Sequence, residues 1–318
     1  MGEVVGPPGR TRHALSPALA AAAMDSGNCM RAPALSASET ASAARSGSDP
    51  MASSLDGIRV TYPRGASALV DVSLSFARGE QVAIIGPSGA GKTTLLHTLG
   101  CAIRPTDGTV QVLGRDPWAL SYKLLHRLRR ELFIAPQSPP LPPRQRVVNA
   151  VLAGRLPQWT AWAALKSLFH PADAAAAQDA LAKFGIEDKL FLRCDRLSGG
   201  ERQRVGLARI LLSQARLFLV DEPVSSLDPA LAQSALVALQ QEAFSRDATL
   251  VVSLHAVDLA LARFARLIGV RSGRIVFDLP RTRITAGLLA DLYGAELGSA
   301  LQEPPSTNDA RLKISRWL

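Results

Sequence analysis

The chain has 318 residues, of which 47% are hydrophobic, and 36 basic residues stand against 27 acidic ones for a net charge of +9. This length and apolar content support one large folded unit, and the lack of any run of eighteen apolar residues excludes a bilayer-spanning helix. Cys29, Cys101 and Cys194 lack paired spacing, which argues against a disulfide framework or zinc site and fits a reducing cytosol.

Residues 1–54 are dominated by Ala, Ser, Gly and Pro, as in Ala20–Ala23 and Ser36-Ala37-Ser38. So few large apolar side chains cannot offset the entropy of ordering. The segment reads as a disordered or spurious extension, with Met51 as an alternative start. A targeting peptide is the competing reading, because Arg10 and Arg12 precede Leu15 to Ala23. Pro17 interrupts that run, and its apolarity comes mostly from Ala. Arg10, Arg12, Arg31 and Arg45 are balanced by Glu3, Asp25, Glu39 and Asp49, so the basic excess lies on the remainder. Lys123, Arg127, Arg129, Arg130, Arg144 and Arg146 concentrate part of it. No aromatic platform is interleaved with them, so no nucleic acid is expected; a partner or an anionic membrane surface fits better.

The first strand pair is predicted at Ile58–Tyr62 and around Val70, Val72, Leu74 and Phe76, which alternate with mostly polar residues. Gly79-Glu80 then turns the chain into the apolar run Val82–Ile85. Gly86-Pro87-Ser88-Gly89-Ala90-Gly91-Lys92-Thr93 follows and fits G-x-x-x-x-G-K-[ST], ahead of the helix-compatible Thr94–Leu99. Strand, glycine loop and helix in this order form a phosphate-binding loop. Its N–H groups turn inward on phosphates, Lys92 reaches the β- and γ-phosphates, and the Thr93 hydroxyl can ligate Mg²⁺.

Thr109–Leu113 is a short strand between Gly108 and Gly114. The pattern changes between Ser138 and Asp195. A proline-rich bend, Pro139-Pro140-Leu141-Pro142-Pro143, leads to Val147–Leu152 and to alanine-rich helical sequence at Ala172–Phe184, read as an inserted helical subdomain. The Trp159/Trp162 pair reads as packing within it. Two apolar runs, Leu217–Val220 and Thr249–Val252, each end at a polar cluster, as buried parallel strands do at an active site. Leu267–Val270 and Arg274–Phe277 flank Ser272-Gly273 as a hairpin. Residues 299–318 show no pattern and read as a mobile tail.

Two further motifs bear chemistry. Asp221 closes the run Leu217–Val220 and suits Mg²⁺, while Glu222 can orient a water toward a γ-phosphate. In Leu197-Ser198-Gly199-Gly200-Glu201-Arg202-Gln203-Arg204, Ser198 can cap a helix and two glycines let backbone N–H groups approach an anion.

With the phosphate loop, these motifs resemble the ATP-binding-cassette (ABC) ATPase family over roughly residues 55–280. The resemblance implies an α/β fold: a RecA-like P-loop core, an antiparallel β subdomain and a helical subdomain at about 138–205, followed by a C-terminal helical segment and tail at 281–318. It implies ATP and Mg²⁺ as cofactors. It places the binding of nucleotide on Tyr62, on Gly86 through Thr94, on Ser198, Gly199 and Gly200, and on Asp228. Tyr62 would stack on adenine, and Asp228 lies in a loop crossing the dimer interface. Gln137 would contact Mg²⁺ or the water and sense the membrane partner, and His255 would contact the γ-phosphate. The implied catalytic set is therefore Lys92, Gln137, Glu222 and His255, and the metal set is Thr93, Gln137 and Asp221. Ser198 and Gly200 would close over ATP held by a second copy, giving a head-to-tail dimer.

Thr61–Gly65, Val151–Leu156, Leu254–Ala260, Ile268–Asp278 and Leu292-Tyr293-Gly294 are similar to phosphonate-importer ATPases. That implies an importer of phosphonates or related phosphorus oxyanions, a transmembrane permease docking near Gln137, and a periplasmic phosphonate-binding protein as indirect partner. The site of action would be the cytoplasmic side of the bacterial inner membrane, held peripherally. Ala135–Pro140 departs from the family by its prolines, which leaves cargo and coupling open. The other readings are an ATPase of a different importer, a soluble accessory protein of phosphonate breakdown, and a regulatory cassette without turnover.

Overall fold

The computed structural model describes residues 51–63, 65–169 and 173–294. Two sheets organise them. Strands β1 (Met51–Thr61), β2 (Ser67–Ala77) and β4 (Asp107–Val112) form an antiparallel sheet with β1 in the centre. The larger sheet runs β5 (Leu132–Ala135), β6 (Leu217–Asp221), β7 (Thr249–Leu254), β3 (Gln81–Ile85), β8 (Arg266–Arg271) and β9 (Arg274–Pro280). All its neighbours are parallel except β9, which returns antiparallel from the Ser272-Gly273 turn.

The apolar runs lack polar alternation because both faces of this sheet are covered. Ala83, Ile85, Phe218, Val220, Leu250, Val252 and Leu267 point into one core. There they meet α3 (Val147–Leu152), α5 (Ala174–Ala182), α6 (Gly199–Leu212), α7 (Pro229–Ser245) and α8 (Val257–Arg263). Val82, Ile84, Leu217, Leu219, Val251 and Ile268 point into the other, against the antiparallel sheet and α1 (Lys92–Leu99). Phe218 is fully buried. Truncating such a side chain to Ala costs about 3–5 kcal/mol.

Several boundaries differ from the sequence reading. Strand β1 begins at Met51 and pairs with Ala77, so residues 51–54 belong to the sheet rather than to the extension. Ser53 is buried there, which a Ser-rich composition does not reveal. In β2 the buried face includes Leu69 rather than Val70, because Asp71 adopts φ 54° and the register shifts across it. Helix α6 continues past residue 205 to Leu212, carried by Leu207, Ile210 and Leu211 facing the core. Trp159 packs against the core, but Trp162, on α4 (Ala161–Phe169), is 74% exposed. The C-terminal helical segment is α9 (Ala286–Tyr293), and the expected tail at 299–318 lies outside the described residues, as does the extension up to residue 50.

Candidate nucleotide site

The phosphate loop is built where β3 ends and α1 begins. Gly86, Gly89 and Gly91 have φ of 152°, 72° and 108°. A Cβ at Gly86 would lie 2.0 Å from the Val270 carbonyl oxygen, and one at Gly91 would lie 2.6 Å from the Ala68 carbonyl oxygen. These glycines therefore let the loop wrap tightly against β8 and β2. A Cβ at Gly89 would meet nothing within 4 Å, so the loop opens outward there. Lys92 folds back across the loop and donates to the carbonyls of Gly86 at 2.7 Å and Pro87 at 3.0 Å. Pro87, Ser88 and Ala90 complete the turn, with the Ala90 N–H donating to the Pro87 carbonyl. Tyr62 lies just past β1, its hydroxyl 3.2 Å from the Thr94 hydroxyl at the start of α1.

The carboxylates stand at the C-terminal ends of β6 and β7. The Thr93 hydroxyl donates to Asp221 Oδ2 at 2.7 Å, and the Ser253 hydroxyl donates to Asp221 Oδ1 at 2.5 Å. This hydroxyl–carboxylate set is all hard oxygen, the donor chemistry that Mg²⁺ takes. Glu222 is held differently. Its backbone has φ 47°, a left-handed conformation, and its N–H donates to the Ser253 hydroxyl at 3.0 Å. Gln137 Nε2 donates to Glu222 Oε2 at 2.7 Å, and His255 Nε2 contacts Glu222 Oε1. Thr93 and Asp221 thus come together, while Gln137 is engaged by Glu222 rather than by Asp221.

The serine-glycine segment starts α6. Ser198 Oγ accepts from the Glu201 N–H at 3.3 Å, and Glu201 Oε2 accepts from the Ser198 N–H at 2.7 Å, a complete capping box. Those bonds, the Ser198 N–H first among them, hold the Glu201 carboxyl below its ordinary value of 4.5. Ser198 and Gly199 are exposed, so the cap is presented outward. Asp228 caps α7, its Oδ1 accepting from the Leu231 N–H at 3.0 Å.

Residues 69–225 match the model of the ABC transporter family. The phosphonates import ATP-binding protein PhnC 2 of Albidiferax ferrireducens is 57% identical over 248 residues, covering 77% of this chain and 90% of that one. A protein of the same name from Pseudomonas aeruginosa is 52% identical, covering 84% of this chain and all of the relative. The chain belongs to the ABC transporter ATPases. Among solved structures, a dimeric ATP-binding cassette in a post-hydrolysis state with ADP and phosphate matches at TM-score 0.64 and 27% identity, over 72% of this chain and 98% of that one. As an importer-type ABC ATPase, this protein binds and hydrolyses ATP to energise transport.

At Pro136, next to Gln137 in this ABC ATPase, a small cleft opens between the end of β5 and α6. Phe133, Pro136, Pro139, Pro140 and Gly206 line it. A Cβ at Gly206 would lie 2.4 Å from Pro139 Cγ, so α6 and the proline-rich bend meet without a side chain between them. Of the basic residues, Arg129 donates to the Cys101 carbonyl at 2.7 Å and is structural. Lys123, Arg127 and Arg130 are exposed on α2 (Tyr122–Arg130).

The roles of two residues escaped the sequence reading. Ser253 is the last polar residue of β7 and lies in register with Asp221. Gln203, 4% exposed, donates to the Glu222 carbonyl at 2.7 Å and accepts from the Ser226 N–H at 3.1 Å. A serine ending a buried strand beside a motif carboxylate is a usable sequence signal; a glutamine within a helix is not. Among the described residues no helix is long and apolar enough to cross a membrane, and no group of three His, Cys, Asp or Glu side chains could hold a metal.

Proposed function

We propose that this ABC ATPase powers import of phosphonates or related phosphorus oxyanions through a separate transmembrane permease. The observation that carries the reading is the junction of the phosphate loop with both carboxylates: Thr93 is bonded to Asp221, and Glu222 follows directly under Gln137 and His255. The cargo assignment is supported by the phosphonate-import names of relatives above half identity across most of their length. Residues 55–280 form the ATPase domain in this reading.

Each residue has a physical role. Gly86 to Thr94 offers inward N–H groups and the positive end of α1 to the triphosphate, Lys92 exchanges its loop carbonyls for phosphate oxygens, and Tyr62 meets the base. Thr93, Asp221 and Gln137 would hold Mg²⁺, which supplies charge neutralisation across the phosphate oxygens. Glu222 accepts a hydrogen bond from the attacking water and orients it, and His255 fixes the carboxylate and meets the γ-phosphate side. Ser198, Gly199 and Gly200 present their outward cap to ATP on a second copy, with Asp228 near the interface, so two nucleotides join a head-to-tail homodimer. The cleft beside Gln137 receives a permease segment, and a periplasmic phosphonate-binding protein delivers cargo to that permease. The protein acts peripherally on the cytoplasmic face of the bacterial inner membrane.

The test is ATP turnover in proteoliposomes that hold this subunit with a phosphonate-importer permease. Phosphonate with its binding protein should stimulate turnover, and Glu222→Gln should abolish the stimulation. Turnover indifferent to phosphonate, or co-purification with a soluble phosphonate-cleaving complex in place of a permease, would contradict the proposal.

A further inference from the structure

We propose that Gln203 is a positioning residue that ties the serine-glycine cap to Glu222 and thereby couples the two ATP sites of the dimer. The inference rests on the roles given above to Glu222 and to the cap.

Gln203 lies in the second turn of α6, whose N-cap is Ser198. Its side-chain amide faces the loop that follows Glu222 and uses both ends. Nε2 donates to the Glu222 carbonyl at 2.7 Å, with a longer contact to the Ser225 hydroxyl at 3.4 Å. Oε1 accepts from the Ser226 N–H at 3.1 Å. Only a primary amide supplies a donor and an acceptor side by side in this way; a carboxylate supplies acceptors and a thioether supplies neither in strength.

The Glu222 backbone needs such support. Its φ of 47° is a conformation that a non-glycine residue holds only when its surroundings impose it. Its N–H is held by Ser253 on β7, and its carbonyl accepts from Gln203 on α6 at 2.7 Å and, at 3.3 and 3.4 Å, from the hydroxyl and N–H of Ser225. The direction of the Glu222 side chain is therefore set jointly by the sheet and by the cap helix. A second contact reinforces the link, because a Cβ at Gly200 would lie only 2.9 Å from the Ser226 carbonyl oxygen. A shift of the first turn of α6 toward residues 222–226 meets that backbone, and a shift away strains the two Gln203 hydrogen bonds.

In the head-to-tail dimer the cap of one copy closes on the ATP of its mate, while Glu222 of that same copy serves its own ATP. Gln203 joins these two roles within one chain. Closure at one site thus reaches the catalytic carboxylate of the other through two hydrogen bonds.

The experiment is steady-state ATP hydrolysis by the full-length chain with its permease, as Gln203→Glu and Gln203→Met. Gln203→Glu retains the acceptor for Ser226 and loses the donor to the Glu222 carbonyl; Gln203→Met loses both. Both variants should lose at least about tenfold in kcat, as expected when a catalytic group is misplaced by about 1 Å, with KM for ATP within about twofold. Their Hill coefficient for ATP should fall toward one. In a Glu222→Gln background, Gln203→Met should still form the ATP-bound dimer, which separates positioning from folding. Wild-type kcat in either variant overturns the inference. So does an unchanged Hill coefficient, or joint loss of ATP affinity, trapped dimer and kcat. Glu222→Gln alone keeps the two readings apart: if it hydrolyses ATP normally the role of Glu222 fails, whereas if it is inactive and the Gln203 variants are normal only the coupling fails.

Discussion

His255 and Glu222 meet from the ends of adjacent parallel strands, the imidazole Nε2 against one carboxylate oxygen while Gln137 holds the other. A carboxylate gripped on both oxygens keeps one direction, and that direction decides which water it can orient. His255→Ala should therefore lower kcat about a hundredfold, within the range for a group acting in proton transfer or its positioning. KM for ATP should change little, because the phosphate loop is untouched. Steady-state kinetics over a range of ATP concentrations checks both.

Gly86→Ala should abolish nucleotide binding. The added methyl would lie 2.0 Å from the Val270 carbonyl oxygen, so β8 or the loop must move. Backbone strain and overpacking together should cost about 3 kcal/mol. Equilibrium denaturation gives the stability, and titration with a fluorescent ATP analogue gives the affinity.

Glu201→Gln keeps an acceptor for the Ser198 N–H but removes the negative charge at the start of α6, and should cost about 0.5 kcal/mol at pH 7. The folded protein holds this carboxyl below 4.5, chiefly through the Ser198 N–H. A depressed folded value means that the ionised form favours folding. Its contribution is complete above the unfolded value and disappears as pH falls through the folded one. Urea denaturation of wild type and variant should differ at pH 7 and converge in acid well below 4.5.

Arg266 joins three strands of the two sheets. It donates to Glu80 at 2.9 Å, to both Asp278 oxygens at 2.6 and 2.5 Å, and to the Ser75 carbonyl at 2.9 Å, and lies over the Phe76 ring. Those carboxylates hold its guanidinium firmly charged. Arg266→Met should destabilise the fold by about 2 kcal/mol, after allowance for the partial exposure of the group. The exposed pair Arg78–Asp247, at 2.8 Å, serves as control: Arg78→Met should cost less than about 1 kcal/mol by the same denaturation assay.

Local patterns made much of this molecule legible. The phosphate loop is contiguous, Asp221 and Glu222 close an apolar run, and Ser272-Gly273 sits between two strands, so each is readable in a window of a dozen residues. What escaped depends on distant partners. Strand β5 is only four residues long, and its place beside β6 comes from pairing that no local pattern encodes. Helix α2 reads as a basic stretch because Leu128 alone is buried on it. Ser53 looks like part of a low-complexity segment until β1 is paired. Gln203 and Ser253 act through hydrogen bonds to Glu222 and Asp221, and their importance exists only once the strands are assembled. Trp162 shows the opposite failure, since a large aromatic suggests burial and α4 turns it to solvent.

Analytical ultracentrifugation of the Glu222→Gln chain with saturating ATP and Mg²⁺ tests the central claim most directly. The account predicts a dimer that forms only with nucleotide, holds two ATP per pair, and is lost when Ser198→Arg is added. A sedimentation profile that stays monomeric under those conditions, or a dimer indifferent to Ser198→Arg, would contradict it.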